Sequence, residues 1–102
     1  MQLRHLKTFV AVASTLNITR AGEQVHLAQS SVTEQIQSLE AELGTPLFDR
    51  SRRGLRLTEA GRRLLEYAGD LLSLSLDLKR NVDRYLSSGI FYGAFYLFAS
   101  AV

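Results

Sequence analysis

The sequence has no cysteine, no tryptophan and a single proline. Without cysteine there is no disulfide framework, no thiolate metal site and no thiol nucleophile, and the redox compartment is unconstrained. Histidine is scarce too. His5 and His26 lie on different segments, and neither begins a run with metal-ligand spacing. There is no glycine-rich phosphate loop, and no serine or aspartate belongs to a visible nucleophile–base–orienter set. The expectation is therefore a protein that is not an enzyme and carries no metal and no cofactor. A strong charge of one sign is also missing, since 12 Lys+Arg against 10 Asp+Glu leave a net +2. What is present suits one modest domain: 102 residues, 46% of them apolar, too apolar for a disordered tail.

The small net charge hides an uneven distribution. Residues 1–48 sum to −1, residues 49–63 to +4 and residues 64–102 to −1. The whole surplus thus falls on Arg50, Arg52, Arg53, Arg56, Arg62 and Arg63, opposed only by Asp49 and Glu59. Arginine has a planar fork suited to phosphates and base edges. Such a cluster reads either as a solvated charged face or as a nucleic-acid contact patch.

Periodicity places the elements. Leu3, Leu6, Phe9, Val10 and Ala13 recur at helical spacing and give a first amphipathic helix to about Thr15. Asn17 is a good cap for a short second helix from Ile18 to about Val25, with small residues, Ala21 and Gly22, at its middle. A third helix runs from Gln29 to Leu43, with Val32, Ile36, Leu39 and Leu43 as its inward stripe. Its other faces carry Gln29, Ser30, Ser31, Thr33, Glu34, Gln35, Gln37 and Ser38, a dense row of hydrogen-bonding side chains with little charge. Gly44 and Pro46 end it. Next, Leu55-Arg56-Leu57 alternates beyond a Gly-containing turn, and the segment from Leu47 reads as a hairpin with arginine at its tip.

Thr58 caps a fourth helix reaching about Leu86, roughly 43 Å at 1.5 Å per residue. Leu64, Ala68, Leu71, Ser75, Leu78, Val82 and Tyr85 alternate at spacings of four and three, and Leu65 and Leu72 widen the stripe. This heptad seam exceeds what a small core covers and predicts a partner helix. The competing reading lays the helix across its own domain. The last 18 residues, Tyr85–Val102, carry no charge and reach the lower limit of a membrane span. Ser87, Ser88, Gly89, Gly93 and Ser100 interrupt them, which argues against a membrane.

Two short helices joined by a brief turn, the second polar outside, describe a helix-turn-helix, and the hairpin makes it winged. Such a helix enters the major groove, while an arginine-tipped hairpin reaches the backbone or a narrow minor groove.

The residues from Leu3 to Leu65 resemble the N-terminal domain of LysR-type transcriptional regulators. The matching runs are Leu3 to Ala13, Thr19-Arg20-Ala21-Gly22 and Gln29-Ser30-Ser31-Val32-Thr33. They continue through Ile36, Leu39-Glu40, Leu43 to Arg50 and Leu57-Thr58-Glu59-Ala60-Gly61, without gaps. The resemblance implies a mainly α fold: a winged helix-turn-helix over 1–57, a linker and dimerisation helix over 58–87, and the hinge and first strand of an effector domain over 88–102.

It also implies a cytoplasmic bacterial regulator that binds imperfect dyads in double-stranded promoter DNA. Homodimers form through antiparallel linker helices and pair into tetramers, and a small-molecule inducer acts only on the full-length form. The residues implied to contact DNA are Gln29, Ser30, Ser31, Thr33, Glu34 and Gln37 on the third helix, with Arg50, Arg52 and Arg53 around the wing. Arg50 is implied either to contact phosphate or to pair with an acid such as Glu40. Leu64, Ala68, Leu71, Leu72, Leu78 and Val82 are the implied dimer seam. Three residues depart from the family pattern. Ala28 stands at a usual Ser or Thr cap, Gly22 at a usual Ala, and Glu34 at a common basic residue. The larger, ligand-binding part of such a regulator is not in this chain, which the resemblance marks as a DNA-binding fragment or a natural truncation.

Overall fold

The computed structural model describes residues 1–51 and 53–88. Its element order is α1 (Leu3–Thr15), α2 (Ile18–Val25), α3 (Gln29–Leu43), β1 (Phe48–Ser51), β2 (Gly54–Leu57) and α4 (Glu59–Ser88). The fold is mainly α, with three short helices, a two-stranded antiparallel hairpin and a long last helix, as expected from the sequence.

Local chemistry sets the element ends. The Asn17 side chain accepts the Arg20 N–H at 3.1 Å and starts α2. The Thr58 hydroxyl accepts the Gly61 N–H at 3.0 Å and starts α4. Ala28 offers no side-chain cap, so α3 starts without one. Gly44, at φ 71°, ends α3 in the left-handed conformation that glycine adopts most readily.

The first compact unit runs from Met1 to Leu72. Helix α1 packs against both α2 and α3, which also pack against each other. The core is built on Phe9, Val12, Ala21, Val32, Ile36, Leu39 and Leu47. Phe9 is fully buried and meets the Phe48 ring at 5.4 Å between centroids, which ties the wing to α1. The α1 and α3 stripes each overhang the core by one residue. Leu3, first in α1, and Leu43, last in α3, are exposed. One polar tie crosses the core: the buried Thr8 hydroxyl of α1 donates to the Gln35 side-chain amide oxygen of α3 at 2.6 Å. Gln35 is thereby drawn inward, out of the polar row in which the sequence pattern places it.

Helix α4 begins inside this unit. Leu64 and Leu65 pack on the core, and Ala68 is fully buried. The compact unit therefore extends fifteen residues past the boundary expected at 57. The second unit begins at Ser73 and, as far as it is described, consists of the rest of α4, with Leu74, Leu76 and Leu78 exposed. The expected hinge and effector-domain strand after Ser88 lie outside the described residues. Among the described residues no helix is long and apolar enough to cross a membrane.

Candidate nucleic-acid interface

The turn between α2 and α3 is His26-Leu27-Ala28. His26 adopts the left-handed conformation at φ 59°. Its N–H and that of Leu27 both donate to the Gly22 carbonyl. Glycine at position 22 lets the turn close this tightly, because a Cβ there would lie 2.6 Å from the Leu27 carbonyl oxygen and force a shift. The departure from alanine at position 22 thus has a steric reason in this turn.

On α3, Gln29, Ser30, Glu34 and Gln37 are exposed, while Ser31 and Thr33 are half-buried. The side chain of Gln29 is already engaged within the protein. Its Nε2 donates to the Thr19 hydroxyl on α2 at 2.7 Å. Thr19 was not among the residues that the sequence singles out for a role. The signal is absent from sequence, because the pair is ten residues apart and only the closed turn joins it.

The wing pairs Phe48 with Leu57, Asp49 with Arg56, Arg50 with Leu55 and Ser51 with Gly54. Arg53 stands in the turn and is exposed, its N–H donating to the Ser51 hydroxyl at 3.3 Å. Arg52 lies outside the described residues. Arg50, Arg53, Arg56 and Arg62 form no ion pair with another described residue, whereas Arg63 pairs with Glu59 at 3.5 Å on the exposed first turns of α4. The described hairpin cations Arg50, Arg53 and Arg56 are thus left to solvent or to a partner.

No ion pair joins Arg50 to Glu40 among the described residues. The Glu40 carboxylate is taken instead by backbone N–H groups of Leu47 and Phe48. Between α3 and the wing lies a cleft of about 130 Å³, lined on the α3 side by Thr33, Gln37 and Glu40 and on the wing side by Phe48, Arg50 and Leu55. Helix α3 and the wing thus share one surface. No group of three or more metal-ligating side chains occurs among the described residues.

The expected dimer residues divide. Leu64 is half-buried and packs on the protomer's own core, and Ala68 is fully buried within the single chain. Leu72 and Val82 are half-buried, whereas Leu71 and Leu78 are exposed. Tyr67 and Leu74, outside the expected set, are 66% and 65% exposed and belong to the outward apolar surface of α4.

Residues 3–62 match the family of bacterial regulatory helix-turn-helix proteins of the lysR type. The chain belongs to the LysR family. Among curated members it is 43% identical over 96 residues to the HTH-type transcriptional regulator BudR of Klebsiella aerogenes, covering 91% of this chain and 67% of BudR. It is 46% identical over 79 residues to YwqM, an uncharacterized HTH-type transcriptional regulator of Bacillus subtilis (strain 168). That match covers 78% of this chain but 27% of YwqM, so the LysR-family chain spans about a quarter of that relative's length.

Similar solved structures include two DNA complexes. One is the BenM DBD in complex with catB site 1 DNA, with a TM-score of 0.81 and 38% identity over 85% of this chain and 98% of that one. The other is the CbnR DBD–DNA complex, with a TM-score of 0.74 and 42% identity over 87% and 99%. The LysR-family fold of this chain thus matches that of both DNA-bound domains.

Proposed function

We propose that this chain is the sequence-specific DNA-binding and dimerisation part of a LysR-type transcriptional regulator acting in a bacterial cytoplasm. Helix α3 enters the major groove and presents Gln29, Ser30, Ser31, Thr33, Glu34 and Gln37 to bases and phosphates. Arg50, Arg52 and Arg53 contact the flanking sugar-phosphate backbone or minor groove. A second copy joins through α4, which places two recognition helices on the halves of a dyad, and dimers pair into tetramers in the full-length form. Response to a small-molecule inducer belongs to that form. The role is regulatory rather than enzymatic.

One observation carries this reading: the exposed polar face of α3 lies across a shared cleft from a hairpin whose arginines lack acidic partners among the described residues. The appearance of the similar BenM and CbnR structures as DNA complexes supports it. The N–H groups of Gln29, Ser30 and Ser31, at the start of α3 and without a side-chain cap, also suit an approaching phosphate. Electrophoretic mobility shift against promoter DNA at low salt tests the proposal. A saturable shift that survives competitor DNA is the expected result. No binding even at low salt overturns it.

A further inference from the structure

The Thr19–Gln29 hydrogen bond joins the second residue of α2 to the first residue of α3, and both side chains are exposed. Nothing local to α3 holds residue 29 in place, since Ala28 supplies no cap. The restraint comes across the turn, and that turn is closely defined. The Gly22 carbonyl takes two N–H groups, and Gly22 leaves no room for a Cβ beside the Leu27 carbonyl. The backbone that carries Thr19 is therefore set relative to Gln29 by the turn.

The chemistry of the pair gives it a purpose. A glutamine amide carries two N–H protons and one carbonyl oxygen. When Thr19 accepts the proton trans to Oε1, the remaining N–H and Oε1 stand as a donor–acceptor couple on one edge. That couple matches the N6 amino group and N7 of adenine in the major groove. A glutamine free to rotate would present the couple in many directions, or offer the reverse polarity after a flip. Holding it from Thr19 selects one orientation before DNA arrives.

We propose that Thr19 is a positioning residue for base reading, fixing the Gln29 amide so that it selects adenine at one position of each half-site. This rests on the DNA-reading function proposed above.

The test compares the full chain with the variants T19V, T19A, T19S, Q29A and T19V/Q29A. The wild-type chain first selects sites from a random DNA pool. Each protein is then titrated against the selected site and a scrambled one at fixed salt. T19V and T19A should lower the preference for the selected site by about two- to tenfold, the range of one side-chain hydrogen bond. T19S should restore it, and T19V/Q29A should match Q29A alone, as coupled residues require. The adenine contacted by Gln29 should be the position that loses selectivity.

Equal losses on selected and scrambled DNA would mark Thr19 as a phosphate contact and overturn the positioning role. So would T19V and T19A binding like wild type, or T19V and Q29A losses that multiply independently. A wild-type chain that selects no sequence would overturn the DNA-reading function itself, an outcome distinct from normal selection with an indifferent Thr19. Thermal melts of T19V and T19A, two variants that differ in bulk, confirm that the folded state is being compared.

Discussion

The Glu40 carboxylate of α3 accepts the Leu47 N–H at 2.6 Å and caps the entry to the wing. The Phe48 N–H reaches the same oxygen at 3.4 Å. Leu47 is buried, and without Glu40 its N–H would be left with no such partner. Glu40→Ala should cost about 1–3 kcal/mol, the penalty for orphaning a buried donor once held by a charged acceptor. Glu40→Gln keeps an oxygen acceptor and should cost less. Thermal unfolding of the two variants, side by side, gives the ranking. Equal losses would mean that length and packing at position 40, rather than its acceptor, hold the wing.

Gly22 and Gly69 make a pair with opposite expected signs. Both lie in helices, where glycine is about 1 kcal/mol worse than alanine. A Cβ at Gly69 meets nothing within 4 Å, so Gly69→Ala should stabilise by about that amount. A Cβ at Gly22 would sit 2.6 Å from the Leu27 carbonyl, a backbone atom that moves only if the turn opens. Gly22→Ala should therefore be net destabilising, by about 1–2 kcal/mol after its propensity gain is set against overpacking. Denaturant unfolding of the two variants under the same conditions checks both signs.

These cases show which parts of the molecule were legible in the sequence. Helix starts at Asn17 and Thr58, the stop at Gly44 and the hairpin around Gly54 follow from local chemistry, and all were placed within two residues. Partners across elements were not legible. The polar row on α3 reads as uniformly outward, yet Gln35 turns in to Thr8 and Gln29 is held by Thr19. Glu40 looks like a partner for a nearby arginine because both are charged, but the backbone it faces is nearer and equally in need of an acceptor. The α4 stripe carries the right period but no mark of where the protomer stops using it. Ala68 thus falls on the same stripe as the exposed leucines although it is fully buried in the single chain.

The wing arginines set an expectation for salt. Each phosphate contact contributes about −0.9 to the slope of log K against log salt. Arg53→Ala should flatten the slope by about that amount, and the double change R52A/R53A by roughly twice it, on specific and random DNA alike. Titrations at several salt concentrations measure it. An unchanged slope with lowered affinity for the selected site alone would move these arginines from phosphate contact to base reading.

The burial split along α4 makes the dimer prediction sharper than the heptad alone. Leu71 and Leu78 are 46% and 65% exposed in the single chain and neither belongs to the protomer's buried core. Leu71→Asp with Leu78→Asp should leave the melting temperature of the winged domain close to wild type while converting dimer to monomer in sedimentation equilibrium. Affinity for a two-half-site operator should fall with the lost second contact, whereas binding to a single half-site should change little. Ala68→Asp is the contrasting variant. It would bury an unpaired charge at a fully buried position, so it should unfold the domain rather than simply dissociate it. A folded monomer from Ala68→Asp, or an intact dimer from the leucine pair, would place the self-association surface elsewhere on the chain.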